Sequence, residues 1–524
     1  MGNYLNVGNA GFESVVKGIY VDKTEMIAFI NRTLGTMDKL TCVSRPRRFG
    51  KSIAAKMLCA YYDKSCDSHE LFEGLEISKD PSFEKYLNQY DVIYLDLTWF
   101  IANVKDIKNV VSVLQSDVIK ELSEAYPEVE KRDTFPRMLL SVAEATGNKF
   151  IIIIDEWDAL FREAKNNIAL QEEYINLLRG LFRSGVLTDK MIEGAYMTGI
   201  LPIKKYGNQS AVSDFREYTM LTPRRLAKYT GFTESEVRDL CRQFDMDFED
   251  MKHWYDGYSF SRLKSVYSPN SVMEAIKSEE FGSYWTRTET YESLKIYIDM
   301  DLDGLKEAII RMLGGEKVKI MSGAFQNDLT SIKSKDDVLT LMVHLGYLAY
   351  ESKEKAVFIP NEEVREEFVL AVSRSKHTEM VKLIQITDHL LELTLQMDEE
   401  AVAAAVEEIH KTYASPINYN NEESLRRTIH FAYLGCIEDF RRIDELPSGH
   451  GYADVAFVPK QNVSKPIIFI ELKWNKSTES AVRQIKDRDY PHVFKDYCGD
   501  ILLVGVNYNE NTKKHTCKIE KHIK

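Results

Sequence analysis

The run Val43–Ser52, VSRPRRFGKS, ends in a glycine, a lysine and a hydroxyl in succession: Gly50, Lys51 and Ser52. Between a strand and a helix such a triplet does phosphate chemistry. Backbone N–H groups at the helix N-terminus surround the phosphate oxygens, the lysine supplies charge and the hydroxyl holds Mg²⁺. The full spacing G-x-x-x-x-G-K-[ST] fails at one position, because Arg45 stands where the first glycine belongs. A basic helix start therefore stays open as the alternative. A second element, FIIIIDEWDAL, carries Asp155 and Glu156 at the end of an apolar run about a hundred residues on. Asp155 is suited to bind Mg²⁺ through water and Glu156 to polarise an attacking water. Together the two elements read as an ATPase with an added catalytic glutamate. Thr198, closing AYMTGI, is placed either to sense the terminal phosphate or to make an ordinary turn before Gly199. Arg179, Arg183 and Arg216 are candidate charge stabilisers, although exposed arginines mostly contribute nothing measurable.

A second constellation lies near the C-terminus, in GHGYADVAFVPK followed by KPIIFIELKW. Asp454 opens a strand after a glycine-rich turn. Glu471 and Lys473 stand one residue apart on a second strand, so alternation puts both side chains on one face. Two carboxylates and a lysine on adjacent strands suit phosphodiester hydrolysis. Asp454 and Glu471 would hold one or two Mg²⁺ ions, and Lys473 would orient or deprotonate water and stabilise the oxyanion. Upstream, Glu423 and His430 are two helical turns apart on one face, and Glu423 could complete the metal shell. Gln484, in AVRQIKDRDY, could contact the phosphate or position water. The tripeptide Glu-Leu-Lys alone is more often a surface ion pair; the ordered set is much harder to obtain by accident.

These residues need elements to hold them. Strand-sized apolar segments, Leu40–Ser44, Val92–Leu97, Phe150–Asp155, Ala195–Ile200 and Glu217–Leu221, alternate with helical patterns in the first half. That alternation implies parallel strands with crossovers, and strands apolar on both faces imply helices on both sides. The expectation is α/β: a doubly wound parallel sheet over 1–230, then a helical lid over 231–300. In the lid, Thr233 caps a helix with Glu236 three residues on, and Ser271 could cap another. Over 301–375 the order helix, helix, hairpin, helix suits a winged helix. A helical linker over 376–415 and a separate C-terminal α/β unit over 416–524 complete the chain.

The length of 524 residues exceeds one core at roughly 150 residues per domain. No run approaches the ~18 apolar residues of a membrane span. The segment MGNYLNVGNA has neither a basic n-region nor an apolar h-region, so a cytoplasmic location is expected. The cysteines are odd in number, scattered and without C-x-x-C pairs, which argues against a disulfide framework or a zinc site. A net charge of −13 confines any nucleic-acid contact to a local basic channel.

On YVDKTEMI, SRPRRFGKS, IIIIDEWDAL, MTGILPI, WYDGY, VYSPNSV, HLGYLAY, IPNEEVREEF and the C-terminal motifs, the chain resembles a bacterial family of AAA-ATPase-like proteins with a C-terminal PD-(D/E)XK nuclease domain. The resemblance covers nearly the whole length. It implies that the arginine-rich loop Arg45, Pro46, Arg47, Arg48, Phe49, Gly50, Lys51 and Ser52 is the usual phosphate loop of the family. It also implies kinship with STAND-type ATPases, with Tyr20 to Thr24 near the nucleotide base and Pro269 closing the lid on it. The family's proline is absent, Ala453 preceding Asp454, and Tyr452 stands where arginine is common. Neither position is a metal ligand.

The expected activity is an ATPase, using ATP and Mg²⁺, that controls an attached nuclease acting on nucleic acid, DNA ahead of RNA. The alternative is an ATP-driven switch whose nuclease fold only binds nucleic acid or a protein. No membrane partner is expected, and homo-oligomerisation stays open. Arg45, Arg47 and Arg48 are expected to add charge toward the phosphates or a neighbouring subunit.

Overall fold

The computed structural model describes residues 2–183, 185–203, 205–206, 209–210, 212, 214–260, 263–285, 291–300, 302–326, 332–413, 422–437, 439–448, 451–460, 463–488, 490–494, 497 and 499–522. The chain forms two compact units, Met1–Gly282 with Lys319–Pro360 and Ser283–Val318 with Asn361–Lys524. Among the described residues no helix is long and apolar enough to cross a membrane. The six cysteines among them are all free, and Cys498 lies outside the described set.

The first unit is built on a parallel sheet of β1 (Leu40–Ser44), β2 (Asp91–Asp96), β3 (Phe150–Asp155), β4 (Ile192–Gly199) and β5 (Arg216–Tyr218). Its spatial order is β2-β3-β4-β1-β5. All residues of β1 and β3 are buried. The four isoleucines of β3 divide by parity: Ile152 and Ile154 join the core with Leu114, Leu139 and Leu178, while Ile151 and Ile153 join the opposite core with Ile27, Leu58 and Tyr62. Each such burial contributes ~1.5–3 kcal/mol, which fixes the strand between two helical layers. This is the doubly wound α/β fold expected of the first half.

Several boundaries differ from the expected ones: the strand expected at Ala195–Ile200 runs Ile192–Gly199, and three others have a local reason. The strand expected at Val92–Leu97 stops at Asp96, whose carboxylate accepts from Thr98 N at 2.9 Å and Trp99 N at 3.2 Å and so starts the helix Leu97–Asn103. The strand expected at Glu217–Leu221 ends at Tyr218, the last residue paired with β1, because Thr219 N turns back to Thr222 O at 3.3 Å. Ser271 caps nothing. The helix Pro269–Ser278 begins with proline at its first position and Ser268 as the cap residue, and Ser271 lies inside it. Thr233 and Glu236 do make the reciprocal capping box, on the helix Glu234–Gln243. The order helix, helix, hairpin, helix is found as Leu305–Leu313, Lys335–Leu345, the pair Ala349–Glu351 with Ala356–Phe358, and Glu362–Ser373.

The second unit carries the sheet β6 (Phe440–Ser448), β7 (Gly451–Pro459), β8 (Ile467–Trp474), β9 (Ile501–Asn509) and β10 (Lys514–Lys521), side by side in that order. Only β8 and β9 are parallel, and the helix Thr478–Asp487 lies between them in sequence, as a parallel pair requires. Gly505 on β9 is the close-approach point. A Cβ there would meet Thr478 O at 2.6 Å and the Ala481 Cβ at 2.9 Å, so only glycine lets that helix pack down on the sheet.

Candidate functional site

At the C-terminal end of β1 the chain turns through Arg48 at φ +65° and Gly50 at φ +82° into the helix α1 (Lys51–Tyr62). The space a Gly50 Cβ would point into is open within 4 Å. The first N–H groups of α1 have no partner within the helix, and the positive end of the helix dipole lies behind them. Lys51 is buried and donates from Nζ to Pro46 O at 3.0 Å; the same nitrogen lies 3.4 Å from Glu156 Oε1. Pro46 and Phe49 are buried as well, Phe49 stacking edge-on against Tyr258 at 5.3 Å. Arg47 and Arg48 are exposed.

Arg45 goes elsewhere. Its side chain is 0% exposed, and Nη1 donates to Ser44 O at 2.8 Å and Tyr218 O at 3.0 Å, joining β1 to the edge strand β5. The guanidinium sits 5.2 Å over the Phe260 ring, and burial lowers its pKa to about 10. The arginine in the place of the missing glycine thus braces the sheet beneath the loop and presents no charge at the surface.

Asp155 ends β3 and is buried. Burial pushes its carboxyl up to about 6, against a hydrogen bond from Ser52 and the charge of Lys51. Tyr94 OH donates to its Oδ2 at 3.4 Å. Glu156, at φ +51°, is turned toward Lys51 on one side and Arg162 Nη2 on the other. Burial alone would raise Glu156; the two cations outweigh it and hold it below the usual carboxylate range. Thr198 is buried at the end of β4, opposite Val43 of β1, and β4 lies between β1 and β3 in the sheet. The fold therefore gathers Lys51, Ser52, Asp155, Glu156 and Thr198 at one end of the sheet.

The three candidate arginines do not share one place. Arg216 starts β5 opposite Thr41 and pairs with Asp38, at the other end of the strands. Arg179 bonds Asn176 on its own helix at 3.4 Å, and Arg183 is exposed just beyond that helix. Two residues escaped the sequence reading. Asp158 accepts from Ile200 N at 3.1 Å and Leu201 N at 2.9 Å, fixing the segment after Thr198, and it receives Arg162 Nε at 3.1 Å. The spacing Asp158 to Arg162, one helical turn immediately after the acidic motif, was the available signal.

In the second unit the register Val455↔Ile470 sets Asp454 beside Glu471 across β7 and β8. Asp454 accepts at Oδ2 from Leu472 N at 2.8 Å and at Oδ1 from Arg426 Nη2 at 3.0 Å. Glu471 is buried. Its Oε1 takes Lys473 Nζ at 2.9 Å and the amide of Gln484, while Oε2 has no hydrogen-bond partner among the described residues. Burial, with the neighbouring charge of Asp454, raises the Glu471 carboxyl to about 7. Gln484 reaches it because Thr478–Asp487 packs down over Gly505, and the Tyr490 hydroxyl, 3.4 Å from Gln484 Nε2, supports the amide.

Glu423 lies in the helix α2 (Glu422–Ala432), but its side chain is outside the described residues. His430, on the same helix, does not join the carboxylates: its Nε2 lies 3.0 Å from Asp444 Oδ1, which Arg442 Nε also approaches at 3.3 Å. Arg426 was missed, although it sits between Glu423 and His430 at helical spacing on their face. Among the described residues no three His, Cys, Asp or Glu side chains converge to hold a metal. Asp454 and Glu471 offer hard oxygen donors, and the unpartnered, buried Glu471 Oε2 is the atom that fits a divalent cation.

Residues 7–207 match the model of a predicted AAA-ATPase family, and residues 420–518 match that of the PD-(D/E)XK nuclease superfamily. Over nearly its whole length the chain is similar to an uncharacterized protein in the vnfD 5′ region of Azotobacter chroococcum, 22% identical over 532 residues and covering 97% of each chain. Among solved structures it is similar to the replication initiator DnaA bound to AMPPCP and single-stranded DNA, with TM-score 0.27 and 12% identity over 72% of this chain and 92% of that one. AMPPCP-bound DnaA from Aquifex aeolicus gives TM-score 0.26 and 14% identity over 70% and 93%.

Proposed function

We propose that this chain, which joins an AAA-ATPase-like domain at 7–207 to a PD-(D/E)XK nuclease-superfamily domain at 420–518, binds and hydrolyses ATP and uses that cycle to control an attached nuclease. Its substrate in this reading is nucleic acid, DNA ahead of RNA. The observation that carries the reading is the meeting of Lys51, Ser52, Asp155 and Glu156, drawn from segments far apart in sequence, at the N-terminus of α1.

The residues divide the work. The N–H groups opening α1 and the Lys51 ammonium would hold the β- and γ-phosphates. Glu156 would take the proton of the attacking water, and Thr198 would hydrogen-bond the terminal phosphate. In the C-terminal centre Lys473 would orient water and bind the developing oxyanion, with Gln484 fixing the Glu471 carboxylate. Ser52 and Asp155 in one centre, and Asp454 and Glu471 with Glu423 in the other, would hold Mg²⁺, which would supply charge stabilisation at the reacting phosphoryl oxygens.

A second reading, an ATP-driven switch with slow hydrolysis whose nuclease fold only binds its partner, is favoured by one feature. Glu156 is ion-paired on both sides, to Lys51 and to Arg162, and a carboxylate so held is a poor proton acceptor. One experiment separates the two. Wild type, Lys51→Ala and Lys473→Ala are incubated with labelled DNA and Mg²⁺, with and without ATP. The nuclease reading expects cleavage by wild type, none by Lys473→Ala and altered nucleotide dependence in Lys51→Ala. Absence of cleavage by wild type under every nucleotide condition overturns it and leaves the switch.

A further inference from the structure

Each oxygen of Asp454 holds one hydrogen bond. One oxygen accepts the Leu472 amide and the other the Arg426 guanidinium at 3.0 Å. Arg426 and Asp454 are both largely shielded, with 21% and 16% of their side chains exposed, so this pair is not a loose surface contact. Glu471 differs: its Oε1 is engaged by Lys473 and Gln484, but its Oε2 is left over. A divalent cation approaching Glu471 would therefore meet one unpartnered carboxylate oxygen and, on Asp454, a carboxylate already paired with a guanidinium.

The helix that delivers Arg426 is anchored independently. Four residues further along α2, His430 packs against Asp444 on β6, and Asp444 pairs with Val455, the residue after Asp454. The helix is thus fixed to the sheet at one turn and sends a guanidinium to the ligand from the turn before. A side chain with several rotatable bonds on a fixed helix can leave Asp454 without disturbing the fold.

We propose that Arg426 is a displaceable occupant of the C-terminal metal centre, holding Asp454 until a phosphodiester offers the guanidinium a second anion. The proposal rests on the reading that Asp454 and Glu471 form a metal centre. Guanidinium pairs with phosphate at least as well as with carboxylate, through two parallel N–H donors. Substrate then releases Asp454, and metal and substrate bind with positive coupling, each raising the affinity for the other. Without substrate, only the fraction of molecules with Arg426 withdrawn is competent, and the apparent metal affinity falls by that fraction. The centre is thereby kept poorly loaded until nucleic acid is present.

The test is Mn²⁺ binding to the full chain by calorimetry, the C-terminal component being the one that Asp454→Ala removes. Arg426→Gln is expected to tighten that component by about two- to fivefold, the scale of an ion pair near the surface. Arg426→Lys, which keeps the charge, is expected to stay near wild type; equal tightening in both variants points to a disturbed helix and overturns the proposal. Addition of duplex oligonucleotide is expected to tighten Mn²⁺ binding to wild type and to do so less in Arg426→Gln. If wild type has the component and Arg426→Gln binds equally or more weakly, the proposal alone fails. If neither protein shows a component removed by Asp454→Ala, the metal centre fails with it.

Discussion

Glu156 Oε1 lies 3.4 Å from Lys51 Nζ, while the other oxygen of the same carboxylate is taken by Arg162. The group suited to activate water and the group suited to hold phosphate are thus each other's counter-ions. In the proposed function a triphosphate would compete with Glu156 for Lys51 and so release the glutamate on that side.

Lys51→Ala removes that charge. Charge-assisted hydrogen bonds contribute about 1.5–3 kcal/mol each. ATP affinity measured by calorimetry is therefore expected to fall roughly 10- to 100-fold or beyond detection. Unchanged affinity would remove the loop from nucleotide binding.

Glu156→Gln keeps the shape but not the base. ATP binding is expected to persist while turnover falls about 10²- to 10⁴-fold, the range for loss of a general base. Steady-state phosphate release alongside a binding isotherm distinguishes this from a folding defect, which would lower both.

Arg45→Gly would restore the glycine of the common loop pattern, yet the structure predicts a cost. The carbonyls of Ser44 and Tyr218 lose their buried donor, at ~1–3 kcal/mol each. A lower melting temperature is expected, with nucleotide affinity of the folded protein preserved. Equal thermal stability would show the brace between β1 and β5 to be dispensable.

Glu367, in the helix Glu362–Ser373, gives a pH signature. Burial raises its carboxyl to about 7, and Ser283 Oγ donates to it at 2.9 Å. Because the folded value exceeds the unfolded one, its contribution is fully present below about pH 4.5 and is lost as pH rises through 7. A shift from 4.5 to about 7 corresponds to roughly 3 kcal/mol at full ionisation. Glu367→Gln is therefore expected to flatten the fall in stability between pH 5 and 9, read from denaturation midpoints. A parallel fall in both proteins would assign it to other groups.

The sequence made β1 and β3 legible to the residue, because an apolar strand bounded by a turn motif leaves little choice of register. It also made the shared face of Glu471 and Lys473 legible, since period two is local. What it hid was long-range. That β4 would lie between β1 and β3, bringing Thr198 between the strands that end at Ser44 and Asp155, depends on strand order, which no local pattern encodes. The direction of Arg45 was equally hidden. Its partners are the carbonyl of its neighbour and one at Tyr218, far along the chain, and only the pairing of β5 with β1 makes a buried site for a guanidinium. Asp158 and Arg426 were readable as helical neighbours of the motifs, but which of their many possible partners they would meet was set by packing.

Gly505 brings no side chain to the centre, but the helix bearing Gln484 rests on the backbone there at a distance that excludes a single methyl group. A chain could keep every carboxylate, lysine and amide of the C-terminal centre and still lose its arrangement through one added carbon at this position. Inspection of motifs alone would score such a chain as competent. The presence of glycine at 505 is accordingly a separate criterion, as informative as the motif letters, when sorting intact centres from decayed ones.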